Sequence, residues 1–149
     1  MAGENEDRAL EIPRTILEAM VAHCRLEAPR ECCGILGGGA PRVQSIHPLR
    51  NQAADAETRY DADPRDVLEA YRTLRERGHA FLAIYHSHPR WAAVPSRTDL
   101  ATNYYGDVPR IIVSLLSEPA EVRVWRLDAE SYVELGWTVV ECDAEGSGD

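Results

Sequence analysis

The chain has 149 residues, 44% of them hydrophobic and 28% charged, which suits a single globular domain and excludes wholesale disorder. Its formal net charge of -9 argues against nucleic-acid binding by bulk electrostatics. All 16 basic residues are arginine, which excludes any mechanism built on a Schiff-base or P-loop lysine.

In chain order, residues 1–11 come first as an acidic tail, with Glu4, Glu6, Asp7 and Glu11 against Arg8. They lack the basic start and apolar run of a secretory signal. The domain is expected over residues 12–140. Pro13 suits a first helical position, and Ile16, Leu17, Met20, Val21 and Cys24 share one face of a helix over 13–27. ECCGILGGG (31–39) reads as a buried strand running into a glycine turn, and 42–49 as its partner. A polar loop covers 51–61, with a short strand expected around Tyr60. Asp63-Pro64 opens a second helix, with Val67, Leu68, Tyr71 and Leu74 as its stripe and Gly78 as its C-terminal cap. AFLAIYH (80–86) reads as a central strand, apolar on both faces. Ser96 starts a third helix, expected to reach about Tyr105. Strands at 109–117, 120–127 and 131–140 complete the domain. A second acidic tail, 141–149, carries Glu141, Asp143, Glu145 and Asp149. The two tails hold most of the net charge, so the body is nearly neutral. The element order predicts an α/β or α+β fold with a mixed, partly antiparallel sheet.

No apolar stretch is long enough to span a bilayer, so no membrane partner is expected. Cys24, Cys32, Cys33 and Cys142 lack the Cys-x-x-Cys spacing of zinc or thioredoxin-type sites. They read as reduced, mostly buried thiols of a cytoplasmic protein.

Chemistry concentrates in HSHPRWAAVPSRTD, residues 86–99. On an extended chain His86 and His88 project from one face, so their imidazoles can converge. With Asp99 they could give zinc three protein ligands, leaving a fourth position for a water of pKa about 7. A competing reading is structural. Ser96-x-x-Asp99 is a capping-box pattern, and on those residues alone the cap is favoured. Asp99 cannot easily serve cap and metal with the same oxygens. Trp91, Arg90 and Arg97 read as loop residues, and His23, His47 and His79 as lacking a metal role.

His86-x-His88, seven residues, Ser96, two residues, Asp99 resembles the metal signature of the JAMM (MPN-domain) zinc metalloproteases. PRECCGILG, residues 29–37, resembles the segment carrying that family's upstream glutamate. Asn51, TRYDADP and DVPRIIVSL resemble its small prokaryotic members, and the likeness runs from about residue 12 to 138. It implies a single MPN/JAMM-type domain with a curved mixed sheet flanked by helices. It implies that His86, His88 and Asp99 bind one catalytic Zn²⁺. Glu31 would be the general base, and Ser96 a hydrogen-bond donor to the oxyanion of the tetrahedral intermediate. The implied activity is hydrolysis of the amide bond after the C-terminal Gly-Gly tail of a ubiquitin-like or sulfur-carrier protein. The leaving group would be cysteine or a lysine side chain. Such a tail could dock as an added strand on a sheet edge. The alternative is a non-catalytic MPN-type scaffold. The sequence leaves oligomeric state open, a homodimer included.

Overall fold

The structure, a computed structural model, describes residues 9–141. Cys142 and most of both acidic tails lie outside the described residues. The elements in order are β1 (Leu10–Pro13), α1 (Arg14–Glu27), β2 (Cys33–Gly39), β3 (Arg42–Leu49), α2 (Pro64–Arg77), β4 (Ala80–His88), α3 (Arg97–Ala101), β5 (Arg110–Ser114), β6 (Glu121–Leu127), β7 (Tyr132–Leu135) and β8 (Trp137–Val140).

The strands form one mixed sheet in the order β7-β6-β5-β4-β2-β3-β1-β8. Pairings β4–β5, β1–β3 and β1–β8 are parallel, and the others antiparallel. β7 and β8 stand at opposite ends of that order yet are separated in the chain by Gly136 alone. One residue spans only about 3.5 Å, so the two ends of the sheet must curl round to meet. The fold is α+β, with the nearly closed sheet that results.

Helix α1 packs on one face of the sheet. Its predicted stripe is observed, with Met20 and Cys24 buried against Leu36, Val43, Tyr85, Ile111 and Val113. The other face has two smaller cores. Cys33, Ile35 and Leu49 meet Ala70 and Leu74 of α2, while Ile112, Trp125 and Leu127 meet Ala93 beside α3. α2 begins and ends as its sequence predicts. The Asp63 carboxylate accepts from the Arg65 N–H at 2.9 Å, Pro64 follows, and Gly78 closes the helix at φ 70°. In β2, a Cβ on Gly34 would collide with the Tyr85 ring, so glycine there lets β2 and β4 share that aromatic.

Several bounds differ from expectation. β1 begins at Leu10, inside the stretch read as the acidic tail, because Leu10 and Ile12 are buried and pair in register with Trp137 and Val139 of β8. β2 starts at Cys33 rather than Glu31, whose N–H bonds the Ala56 carbonyl of the following loop instead. β4 runs on to His88, since Ser87 and His88 still pair with Val113 and Ser114 of β5. α3 stops at Ala101, and Gly106 at φ 63° redirects the chain before β5. The expected strand 131–140 is divided at Gly136. Around Tyr60 there is no strand, only the isolated bridge Asn51–Ala62. β5 is shorter than the expected 109–117.

Candidate metal centre

The antiparallel register of β2 and β4 opposes Cys33 to His86. Carried two residues further, it places Glu31 opposite His88, and the Ser87 N–H to Cys32 carbonyl bond at 3.1 Å continues that pairing. His86 and His88, at the end of β4, therefore share a face with Glu31. α3 follows a short loop and brings Asp99 over the same point. All four side chains are buried: Glu31 is 3% exposed, His86 0%, His88 2% and Asp99 4%.

The geometry of the cluster is tight. The Nε2 atoms of His86 and His88 are 3.2 Å apart. Asp99 Oδ1 is 3.1 Å from His86 Nε2, and Asp99 Oδ2 is 3.1 Å from His88 Nε2. Donors held tetrahedrally at about 2.0–2.1 Å from zinc lie roughly 3.3 Å from one another, so these separations suit one small ion. The donor chemistry suits it too. His88 Nδ1 is 2.8 Å from the Ala92 carbonyl, and a carbonyl can only accept, so Nδ1 carries the proton and Nε2 offers its lone pair. On His86, burial outweighs the opposing pull of Asp99 and holds the imidazole neutral, the state a metal requires. Burial resists the Asp99 charge, yet the two imidazoles and the Ser96 N–H keep its carboxyl well below the usual carboxylate range. The residues present thus fit a zinc ion.

At Asp99 one oxygen, Oδ2, serves the cap while also lying 3.1 Å from His88 Nε2, and the other, Oδ1, is left to the cluster. The capping box is formed: Ser96 Oγ accepts from the Asp99 N–H at 3.0 Å, and Asp99 Oδ2 accepts from the Ser96 N–H at 2.9 Å. Oδ1 makes no contribution to the cap and faces His86. The same box that starts α3 therefore orients the carboxylate toward the imidazoles. Ser96 itself is exposed beside them, with its hydroxyl oxygen used as an acceptor and its proton left to donate.

Burial pushes the Glu31 carboxyl up to about 8, with His88 opposing and Asp99 adding to the shift. Its Oε1 is buried without a hydrogen-bond partner. The backbone beneath it is fixed by Asn51, whose side-chain amide donates to the Glu31 carbonyl at 2.9 Å and the Arg59 carbonyl at 3.0 Å. Asn51 Oδ1 accepts from the N–H groups of Ala53 and Asp61, both at 3.0 Å. Asn51 thus knits the 51–61 loop onto the segment carrying Glu31.

Other residues became visible only in three dimensions. Tyr60 stacks on His86 with ring centroids 4.7 Å apart. Ser87, between the two histidines, accepts the Cys32 N–H at 2.8 Å. No spacing rule points to either. Arg90, read as a loop charge, pairs with Glu57 at 3.0 Å, and Trp91 is 50% exposed. His47 and His79 lie apart from the cluster, on either side of Ser45 Oγ.

Among the described residues, no helix is long and apolar enough to cross a membrane. The sequence model for prokaryotic homologs of the JAB domain matches residues 13–128. The CysO-cysteine peptidase of Mycobacterium tuberculosis (strain H37Rv) is 33% identical over 135 residues, which cover 89% of this chain and 92% of that protein. A probable TtuB-protein conjugate cleaving protease of Thermus thermophilus is 43% identical over 91 residues, 61% of each chain. A desampylase of Haloferax volcanii is 34% identical over 88 residues, 55% of this chain and 63% of that one. Among solved structures, a protein from Desulfitobacterium hafniense superposes with a TM-score of 0.81 at 27% identity, over 89% of this chain and 93% of that one. A JAB1/MPN domain protein from Archaeoglobus fulgidus shares the fold, with a TM-score of 0.60 at 19% identity over 89% of this chain and 98% of that one. On the family match and this fold, the chain belongs to the prokaryotic branch of the JAB (MPN) domain family.

Proposed function

We propose that this protein is a zinc-dependent metallopeptidase or isopeptidase that hydrolyses the amide bond after the C-terminal Gly-Gly tail of a ubiquitin-like or sulfur-carrier protein. The carrying observation is the buried His86–His88–Asp99 cluster with a high-pKa carboxyl, Glu31, on the adjoining strand end. The names of the relatives support the substrate class: a CysO-cysteine peptidase, a TtuB-protein conjugate cleaving protease and a desampylase.

In this reading His86, His88 and Asp99 hold one Zn²⁺. The ion supplies Lewis-acid polarisation of a carbonyl and a water acidified towards neutrality. The chain's own residues do the rest. Glu31 is the proton carrier: a bound cation beside it would oppose the burial that raises its carboxyl in metal-free protein, so that the carboxylate can accept a proton from the attacking water and return it to the departing amine. Its unpartnered Oε1 is free to accept that proton. Ser96, with an unused O–H, donates to the oxygen on which charge develops. Asp99 stays ionised and, through the capping box, fixes where Ser96 stands.

The test is direct. Purified protein should carry about one zinc per chain and cleave a carrier protein extended beyond Gly-Gly, and a chelator should stop it. Glu31→Gln should keep its zinc and lose at least about 100-fold in kcat, the usual worth of a positioned acid–base group. Equal cleavage by Glu31→Gln would remove that residue from the mechanism. Protein that binds no zinc and cleaves nothing would be the scaffold instead.

A further inference from the structure

On the face of β2 away from the metal cluster, Cys32 packs under α1 against Cys24. Their sulfurs are 3.4 Å apart, at 1% and 0% exposure. Hydrogen bonds from the Ala28 N–H to the Cys24 carbonyl and from the Arg30 N–H to the Glu27 carbonyl fold the end of α1 back beside the strand, which is what brings the two together. Cys33 alternates to the opposite face and packs with Ile35, Leu49 and Leu74. The thiols under α1 are therefore a pair.

Two further observations separate this pair from ordinary packed thiols. His23, one residue before Cys24, places Nδ1 at 2.7 Å from the hydroxyl of Tyr85, which packs in the same core as Cys32. Cys32 and His23 also line a surface cavity of about 290 Å³, shared with Glu27, Arg30, Pro48 and Asn51. Cys32 is 1% exposed, so a small oxidant entering that cavity would meet its sulfur as the wall opens. The hydrogen bond from Cys24, with burial opposing and His23 helping, lowers the Cys32 thiol, while the Cys24 thiol is raised. Cys32, which lines the cavity while Cys24 does not, is therefore the nucleophile of the two, and its thiolate is the reactive form.

We propose that Cys24 and Cys32 form a hydroperoxide-oxidisable dithiol, a reversible modification site directly behind Glu31. The Cys32 thiolate attacks one oxygen of the hydroperoxide and the O–O bond breaks. With hydrogen peroxide the departing hydroxide takes up the proton that the Cys32 thiol released and leaves as water. Cys32 is now a sulfenic acid. The Cys24 sulfur attacks it, the S–O bond breaks, and the hydroxyl leaves as a second water with the Cys24 proton. Two thiols have been oxidised to one disulfide and one peroxide reduced to two waters. A disulfide sulfur separation is about 2.05 Å, so the sulfurs close by little more than 1 Å. The bond would tie α1 to the residue whose N–H holds Ser87, between the two histidines. Thiol donors reverse it, as for other cytosolic redox pairs.

The experiment uses the full chain in a Cys142→Ser background, treated with hydrogen peroxide, quenched, denatured, alkylated, digested with trypsin and mapped by mass spectrometry. The expected result is a loss of two hydrogens per chain and a fall in alkylated thiols from the three of Cys24, Cys32 and Cys33 to Cys33 alone. Peptide 15–25 should be found joined to peptide 31–42, with dithiothreitol restoring all three thiols. Three outcomes would overturn the proposal: all thiols still alkylated, a bond between Cys32 and Cys33, or Cys32 over-oxidised with no link to Cys24. Cys24→Ser, which keeps a donor beside Cys32 but cannot close the disulfide, should trap the sulfenic acid at Cys32 with dimedone. If that variant does not fold, peptide mapping of the Cys142→Ser parent still decides.

Discussion

Glu31 shows how position changes a residue's chemistry. An exposed glutamate ionises near 4.3, whereas this one, buried with one oxygen unpartnered, is pushed up to about 8. The sign of the linked stability follows. Between the unfolded and folded pKa values the native state holds a proton that the unfolded chain has lost, so this group makes stability fall as pH rises from about 4.5 towards 8. Glutamine has no such dependence. In zinc-free protein, Glu31→Gln should therefore gain on the parent steadily between pH 5 and pH 8, reaching on the order of 1–3 kcal/mol. Urea titrations at several pH values would show it, and a gap that does not vary with pH would mean that Glu31 is not held protonated by burial. Stability and catalysis pull in opposite directions at this residue. The same burial that costs folding energy at neutral pH keeps the carboxyl beside the cluster, where proton transfer needs it.

At the scale of elements, the site rests on two short segments held by side-chain-to-backbone hydrogen bonds rather than by the sheet. Asp63 caps α2 with one bond, to the Arg65 N–H. The Asn51 side chain makes five bonds from a buried position and holds the loop under Glu31. Losing a cap costs typically about 1 kcal/mol, while stranding several buried backbone groups costs about 1–3 kcal/mol each before relaxation. Asn51→Ala should therefore destabilise by about 3 kcal/mol and Asp63→Ala by about 1 kcal/mol, read from urea midpoints. Equal losses would show that water satisfies the Asn51 partners after the cut. The Asp63 cap and the Gly78 stop were legible because capping depends on a few neighbouring residues. The role of Asn51 was not, because its partners Glu31 and Arg59 lie on separate segments. The break at Gly136 was missed for a similar reason: two strands in one apolar run look continuous until their partners are known.

At the scale of the whole molecule, a zinc ion would join two parts of the chain that are otherwise lightly connected, the end of β4 and the five-residue α3. Any ligand that binds only the native state stabilises it, by about 2.7 kcal/mol at a hundred times its dissociation constant. In a domain of this size that is a rise in Tm of roughly 5–10 °C. Scanning calorimetry with and without chelator should show the rise in the parent and not in Asp99→Ala. The same Tm with and without zinc would show that the cluster is not a metal site. By itself, the sequence determined the helices, most of the strands, the capping box and the set His86, His88, Ser96 and Asp99. Those features depend on residues near one another in the chain and on local periodicity. Tertiary structure decided the rest. It left Asp99 Oδ1 free of the cap while Oδ2 serves both cap and cluster, and it buried Glu31 opposite His88. It stacked Tyr60 on His86 and brought Cys24 against Cys32. Each of these is a contact between distant segments, set by strand register and by the closing curl of the sheet.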